Sequence, residues 1–410
     1  MSPPPLQTIA IIGSGLGGLN LAQALKLYKP SLQVTIYEKS QDADLKSQGF
    51  HIGINNWGQE SLKETKIEGI EAIFARNTVH GFTVLDDHLR EVLRIGGPVK
   101  PGQASSKHAT AIVDRAELRN AMTKGVNIEY GKKFIKYEEK EDKVEIFFED
   151  GSQVEADFLV GADGCWSKVR AQLVPSIQYE PTGIISFGSL LNDYTPENTP
   201  ILDKYLKYSM IRTSSPSGYS ILIGLCNPLR GDKPVLFFGL SFPESIINEN
   251  LPEERKEALD YAKKIVHEHF HPEVAAIADG LAEENVIFRG FYKTRTTNYQ
   301  AKNPLDDIPH KRLTLVGDAA HAMTTNKGMG GNTSLKDSID LAKAIATDSD
   351  DWSAKVAEYE NIMWKRGSKE VKESLQMSWR NHQLGWKYTM GKVFMIGLNK
   401  VFYLMGMNNS

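Results

Sequence analysis

The chain has 410 residues, with 48 Lys and Arg against 51 Asp and Glu and a net charge of −3. That length leaves room for two or three domains with a sizeable core, and the charge balance offers no electrostatic case for nucleic acid as a partner. Two cysteines, Cys165 and Cys226, with no CxxC pair exclude a disulfide framework and a dithiol redox centre; a reducing, cytoplasmic setting is expected.

The N-terminal MSPPPLQT has neither the basic region nor the apolar core of a signal peptide, so no targeting segment is expected. Thr8 to Lys39 then reads as a complete β-α-β unit. An apolar run, Ile9 to Ile12, suits a strand buried on both faces. It breaks at Gly13-Ser14-Gly15-Leu16-Gly17-Gly18, after which Leu16, Leu19, Leu21, Ala22, Leu25 and Leu27 recur at helical spacing. In such a unit Gly13 permits the tight turn, Gly15 lets backbone approach a pyrophosphate, and Gly18 lets helix and strand pack closely, while free N–H groups at the helix start meet phosphate charge. A second strand, Val34 to Tyr37, ends in Glu38, whose carboxylate can accept hydrogen bonds from both hydroxyls of a ribose without a 2′-phosphate. The unit predicts a bound dinucleotide and does not separate NAD from FAD.

Beyond Glu38, Lys46 to Ile54 contains a short alternating stretch read as a strand crossing back toward the nucleotide. Thr83 to Ile95 alternates again, ahead of a Gly- and Pro-containing loop at Gly96 to Gly102. Asp114 is placed to cap a helix, DRAELRNAM, with Glu117 in the capping-box position and Arg115 in the first turn. Two strands, VEIFFE and VEADFLV, are expected around a turn at Asp150-Gly151. The second runs into GADGCWSKVR, where Asp163-Gly164 turns at the carboxyl end of a strand, the edge at which open α/β sheets place ligands.

From Pro181 to Arg289 the texture changes. Ile184 to Leu191, Tyr205 to Ile211, Tyr219 to Leu225 and Val235 to Phe242 predict a mostly antiparallel sheet, followed by a helix over Pro252 to Phe270. Tyr208, Met210, Arg212, Tyr219 and Phe237 are candidates to line a substrate chamber in this sheet, with core packing as the competing role for its aromatic residues. Arg312 to Thr347 restores the first pattern. A strand, Leu313 to Val316, ends in Gly317-Asp318, and a loop through Gly328-Met329-Gly330-Gly331-Asn332 feeds a helix carrying Leu335, Ile339, Ala342 and Ile345. Its glycines let backbone lie flat against a planar ligand, and the helix start aims N–H groups and partial positive charge at it. From Trp352 onward the pattern is helical. The apolar stretch Val393 to Met407 is too short and interrupted to span a membrane; it can cover the chamber, join two subunits or lie weakly on a membrane surface.

GSGLGG with Glu38, GADGCWSKVR and GDAAHAMTTNKGMGGN together resemble the three FAD signatures of the single-component flavin-dependent monooxygenases, the family of p-hydroxybenzoate and salicylate hydroxylases. The likeness covers most of residues 6 to 348. It implies an α/β fold, a Rossmann-like FAD-binding domain (1–75, 103–180 and 290–348) with an inserted, mostly antiparallel substrate domain (76–102 and 181–289) and a C-terminal helical segment (349–410). By this resemblance Gly13, Gly15, Gly18, Glu38, Gly49, Arg115, Asp163, Asp318, Gly328, Gly330, Gly331 and Asn332 contact FAD, Asp318 through a ribityl hydroxyl. Lys46 stands where many members carry arginine and is counted with them. Thr324-Thr325 and Met329 depart from the family pattern.

The resemblance implies that NAD(P)H reduces FAD, that O2 forms a C4a-hydroperoxide, and that one oxygen atom passes to an aromatic or polycyclic small molecule. Arg212 and Tyr219 are the candidate substrate contacts; no catalytic base and no metal site is assigned. A flavin oxidase or dehydrogenase on the same scaffold, and a nucleotide-binding protein without redox activity, remain alternatives.

Overall fold

The computed structural model describes residues 4–41, 51–76, 78–79, 81–96, 110–226, 234–298, 300–308, 312–347 and 352–405. The chain packs as two units, Met1–Ile73 with Asp114–Glu180 and Arg295–Leu375, and Phe74–Val113 with Pro181–Thr294 and Gln376–Ser410.

The first unit is built on a five-stranded sheet in the order Leu313–Leu315, Phe158–Gly161, Thr8–Ile12, Gln33–Tyr37, Asn127–Glu129. Every pair is parallel: Ile11 stands opposite Val160 on one side and Ile36 on the other, and Leu159 opposite Leu313. Burial on both faces explains the unbroken apolar run Ile9 to Ile12. The helix Leu16–Tyr28 is buried on every side through Leu25, because a second helix, Gly330–Ala346, packs along it. Asn20 fixes that pairing, donating from Nδ2 to Leu335 O at 3.1 Å and to Ser338 Oγ at 2.9 Å.

The expected strand VEADFLV is two strands in two sheets. Gln153–Ala156 closes an antiparallel meander with Val144–Phe148 and Phe134–Glu139, and Phe158–Gly161 enters the parallel sheet. The break falls at Asp157, whose Oδ2 accepts from the backbone N–H of Gln7 and Thr8, each at 2.8 Å.

The second unit holds a larger sheet in which Tyr179–Leu191, Val235–Pro243, Ser220–Cys226, Ser209–Ser214, Gly81–Asp86 and Glu91–Gly96 lie in that order. Ser209–Ser214 and Gly81–Asp86 run parallel and the other pairs antiparallel. One face carries Ile211, Ile221, Ile223, Phe238 and Phe242 against helices Arg255–His269 and Pro272–Asp279, forming the core of this unit. The strand expected at Tyr205 to Ile211 starts only at Ser209; Pro200–Leu206 is a helix, opened by Pro200 at its first position and burying Leu202, Tyr205 and Leu206. The C-terminal segment is divided between units. Trp352–Leu375, part of the helix Trp352–Arg380, packs in the first unit, where Tyr359 donates to Leu315 O at 2.8 Å. The segment from Gln376, including the helix Gly385–Leu404, belongs to the second.

Candidate functional site

Four of the parallel strands end side by side in the segments that the sequence singled out. Ile12 leads into Gly13, Tyr37 into Glu38, Gly161 into Asp163-Gly164, and Leu315 into Gly317-Asp318. Strand order alone therefore brings together turns from three distant parts of the chain, at the carboxyl edge of the sheet.

The first turn requires glycine twice. Gly13 has φ +103°, and a Cβ there would lie 2.5 Å from Ala162 O. A Cβ on Gly18 would overlap the Gly13 carbonyl oxygen. Gly15 faces open space, with nothing within 4 Å of its Cβ position, and as N-cap of Leu16–Tyr28 it supplies no side chain to the first N–H groups of that helix. Those N–H groups remain for a ligand.

Glu38 is buried with both oxygens engaged. Oε2 accepts from Ser14 N at 2.9 Å and Ser14 Oγ at 2.5 Å; Oε1 accepts from Ser40 N at 3.0 Å and Ser40 Oγ at 2.9 Å. Burial pushes this carboxyl upward, but the four donors outweigh it and hold the group below the usual range. Arg119, one turn beyond Arg115, donates from Nε to Ser14 O at 2.6 Å and from Nη2 to Ser14 Oγ. Its Nη1 and the Nε of Arg115 are buried without hydrogen-bond partners among the described residues. Asp114 caps this helix, accepting from Glu117 N at 2.7 Å, which fixes the direction of both arginines.

The three later motifs divide by what their side chains are free to do. Asp163 is used by its own turn, accepting from Ser167 Oγ at 2.5 Å and Lys168 N at 2.8 Å, while burial raises its pKa. Arg170 ties that turn to the next, donating to Cys165 O at 2.8 Å and Ala319 O at 3.0 Å. Asn332 is fully spent on backbone: Oδ1 accepts from Asn55 N at 2.9 Å, and Nδ2 donates to Gly53 O at 3.0 Å and Gly328 O at 2.8 Å. It clamps the strand His51–Ile54 to the glycine loop. Asp318 differs from these. Its carboxylate has no hydrogen-bond partner among the described residues and reaches solvent, yet protein encloses it, so it lines a recess. That enclosure raises its pKa against the pull of the His321, Arg115 and Arg170 charges. Gly330 lies beside it, its Cβ position 3.6 Å from Asp318 Oδ1. The helix Gly330–Ala346 starts there with no side-chain cap, and a Cβ on Gly331 would strike Ile52. Gly328 has nothing within 4 Å of its Cβ position. Lys46 and Gly49 lie outside the described residues.

Behind Asp318, His321 is buried against Asp337, Nε2 to Oδ2 at 2.6 Å, and Asp337 Oδ1 accepts from Arg366 Nη2 at 2.8 Å. Asp337 Oδ2 also accepts from Gly317 N at 3.2 Å, so this charged cluster holds the Gly317-Asp318 turn. Lys327 does the same for the glycine loop by pairing with Glu370 and Glu373. Among the described residues no cluster of His, Cys, Asp or Glu could hold a metal ion.

The unspent groups suit one kind of ligand. Two buried guanidinium nitrogens and two uncapped helix starts accept negative charge, as a pyrophosphate carries, and a free carboxylate in a recess accepts hydroxyl groups, as a polyol carries. The pattern of the FAD binding domain family matches residues 6–357. The chain belongs to that family. FAD is its cofactor, and the members similar to it along nearly their whole length are named FAD-dependent monooxygenases. That of Trichoderma harzianum, thnD, is 25% identical over 390 residues, 89% of this chain and 91% of its own; cctM of Talaromyces islandicus is 24% identical over 90% and 91%. Klebsiella pneumoniae HpxO, solved with FAD and uric acid, superposes with a TM-score of 0.78 at 19% identity over 98% and 95% of the two chains, a likeness of fold. This chain is an enzyme of the FAD-dependent monooxygenase class.

In the second unit, Arg212 and Tyr219 lie on opposite faces of the sheet. Tyr219 belongs to the core, its ring stacked 4.5 Å from His269 and edge-on to Phe242 at 5.4 Å. Arg212 is on the other face, with Ser214 and Ser220. It is buried and has no carboxylate partner among the described residues; Nη1 donates to Ser220 Oγ at 3.2 Å, and burial pulls the guanidinium down to about 10. His382 closes on the hairpin turn beside it. Its Nδ1 is 3.0 Å from Gly218 O, so that nitrogen carries the proton, and Nε2 is buried without a partner, as is Ser215 Oγ. Burial, with the Arg212 charge adding, pulls His382 down to about 4 against the raising effect of the Gly218 carbonyl.

Sequence reasoning passed over Arg119, Arg170 and His382. Arg119 had a readable signal, a second arginine four residues after Arg115 on a capped helix. His382 had none, since nothing local indicates that it meets Gly218.

Proposed function

We propose that this enzyme inserts one oxygen atom of O2 into an aromatic or polycyclic small molecule bearing an acidic oxygen, with NAD(P)H as the reductant. The first part of that reading is carried by Asp318, an enclosed carboxylate with no protein partner, standing beside the uncapped helix start at Gly330. FAD would be held by the Gly13-Gly15-Gly18 turn, Arg115, Arg119, Asp318 and the backbone of Gly328, Gly330 and Gly331, with Glu38, Asp163 and Asn332 shaping the cradle. When bound, the flavin supplies two-electron reduction by NAD(P)H and the reaction with O2.

The chain's own contribution is charge placement. N–H groups at the start of Gly330–Ala346 favour negative charge on a reduced ring. Arg119 and Arg115 offer donors to phosphate oxygens. Arg212 supports the substrate part: a buried guanidinium without a carboxylate is costly unless an anion arrives. A phenolate or carboxylate on the substrate would supply it, and the unprotonated Nε2 of His382 can accept the proton of a neighbouring hydroxyl. Tyr219 is left to the core.

The test is the flavin spectrum under anaerobic conditions. NADPH or NADH should bleach the oxidised flavin, faster with phenolic compounds present, and readmitted air should restore it with consumption of the compound. Bleaching by the organic compound alone would instead identify an oxidase or dehydrogenase.

A further inference from the structure

The helix Gly385–Leu404 is docked with its polar groups inward and its apolar residues outward. Tyr388 OH donates to Ser214 O at 2.8 Å, Lys392 pairs with Asp86 at 3.4 Å, and Asn399 both accepts from Arg94 N at 3.0 Å and donates to Glu91 Oε1 at 3.1 Å. Because Glu91–Gly96 is an edge strand, Asn399 satisfies a backbone N–H that the sheet leaves open. These bonds fix the rotation of the helix. On the opposite face Trp386, Met390, Val393, Gly397, Val401 and Leu404 follow one another at spacings of three and four residues, with Phe394 alongside. They are open to solvent: Trp386 68%, Val393 64%, Phe394 72% and Leu404 85%. Ten of the twenty large apolar side chains exposed among the described residues lie between Leu384 and Met405.

We propose that this face rests on the surface of a membrane containing anionic lipid. No helix among the described residues is long and apolar enough to cross a bilayer, so the helix lies in the interface plane. Charge selects the occupant. The helix carries Lys387, Lys392 and Lys400 and no acidic residue. Lys387 and Lys400 border the stripe on either side and have no acidic partner among the described residues. Two copies of this face brought together would set like charges around a shared apolar stripe, whereas an anionic surface neutralises them. Trp386 and Tyr403 at the two ends suit the headgroup level. Beside Lys400 a cleft of about 360 Å3, lined by Arg94, Glu91, Asn399 and Tyr403, opens at the end of the helix.

Flotation of the purified flavoprotein with vesicles tests this. Binding is expected to phosphatidylcholine vesicles containing phosphatidylserine, to be much weaker with phosphatidylcholine alone, and to fall with salt. Val393→Glu and Phe394→Glu should each weaken partition roughly tenfold or more. The pair Lys387→Glu and Lys400→Glu should weaken it by a similar factor, at about fivefold per lysine removed, while leaving the apolar stripe intact. All four positions are exposed, and the visible spectrum reports that the flavin is retained; if a glutamate in the stripe disturbs folding, the lysine pair still decides. Absence of flotation with phosphatidylserine vesicles, or flotation unchanged in both sets of variants, overturns the proposal. So does a concentration-dependent dimer in light scattering that the same substitutions dissociate without any vesicle binding.

Discussion

Arg119 donates to Ser14 twice, from Nε to the backbone oxygen and from Nη2 to the hydroxyl, while its Nη1 is buried with no partner. The same serine holds Glu38. One side chain thus links the glycine turn, the acidic strand end and a cation facing the site. Arg119→Ala should weaken FAD binding by roughly ten- to hundredfold, the scale of one or two hydrogen bonds to a charged group. Arg119→Lys, which keeps charge but loses the fork, should recover only part of it. Fluorescence titration of FAD into apo-protein measures both.

Asp318 makes a prediction in two directions. Its pKa is raised by enclosure, so its ionisation weakens the apo-protein once pH rises above the ordinary value of 3.8 and through the raised one. Apo-Asp318→Asn should therefore melt at a higher temperature than the apo-parent at neutral pH, and the difference should vanish in acid. The same variant should bind FAD more weakly. A carboxylate that served only the fold would lower both quantities together. Thermal melts with and without FAD separate the cases.

The His321, Asp337 and Arg366 cluster gives a pH window. His321 is raised above 6.5: burial works against the charged ring, and Asp337 outweighs it. Its stabilisation is complete below 6.5 and is lost as pH climbs through the raised value. Asp337 is lowered below 3.8, the His321 and Arg366 charges outweighing burial, so its stabilisation is present above 3.8 and lost as pH falls through the lowered value. Stability should be greatest between these limits. His321→Gln should flatten the alkaline decline, and Asp337→Asn should cost about 3–5 kcal/mol, the scale of a broken buried ion pair. Urea unfolding across pH measures both.

Much of this site was legible in the sequence because the motifs sit where strands end. Gly13, Glu38, Asp163 and Asp318 each follow an apolar run, and parallel pairing then places those ends side by side. What local pattern could not reveal was the state of each side chain. Glu38 and Asn332 look alike as candidate ligands to a cofactor, but Ser14 and Ser40 occupy the first and three backbone groups the second. The contacts with Ser14, Gly53 and Asn55 join distant parts of the chain and leave no local signal. Residue type and strand position suggested Arg212 and Tyr219 together, without saying that the hairpin turns them to opposite faces. VEADFLV reads as one strand because the backbone donors that Asp157 accepts come from residues 7 and 8.

Arg212→Met should raise KM for an acidic aromatic substrate by roughly tenfold or more, the cost of a lost charge-assisted hydrogen bond, and leave FAD binding unchanged. Because the guanidinium is buried without a carboxylate, the variant should be no less stable than the parent. His382→Gln should keep substrate affinity but lose the pH dependence that a titrating base imposes on kcat. Steady-state kinetics across pH, alongside thermal melts, tests both substitutions.

Oxygen transfer is the central step, and isotope labelling addresses it most directly. With NAD(P)H and an atmosphere of oxygen-18, mass spectrometry of a converted phenolic or polycyclic compound should find one labelled atom in the product and one NAD(P)H consumed per turnover. A converted product that carries no label, or that forms without NAD(P)H, would contradict it.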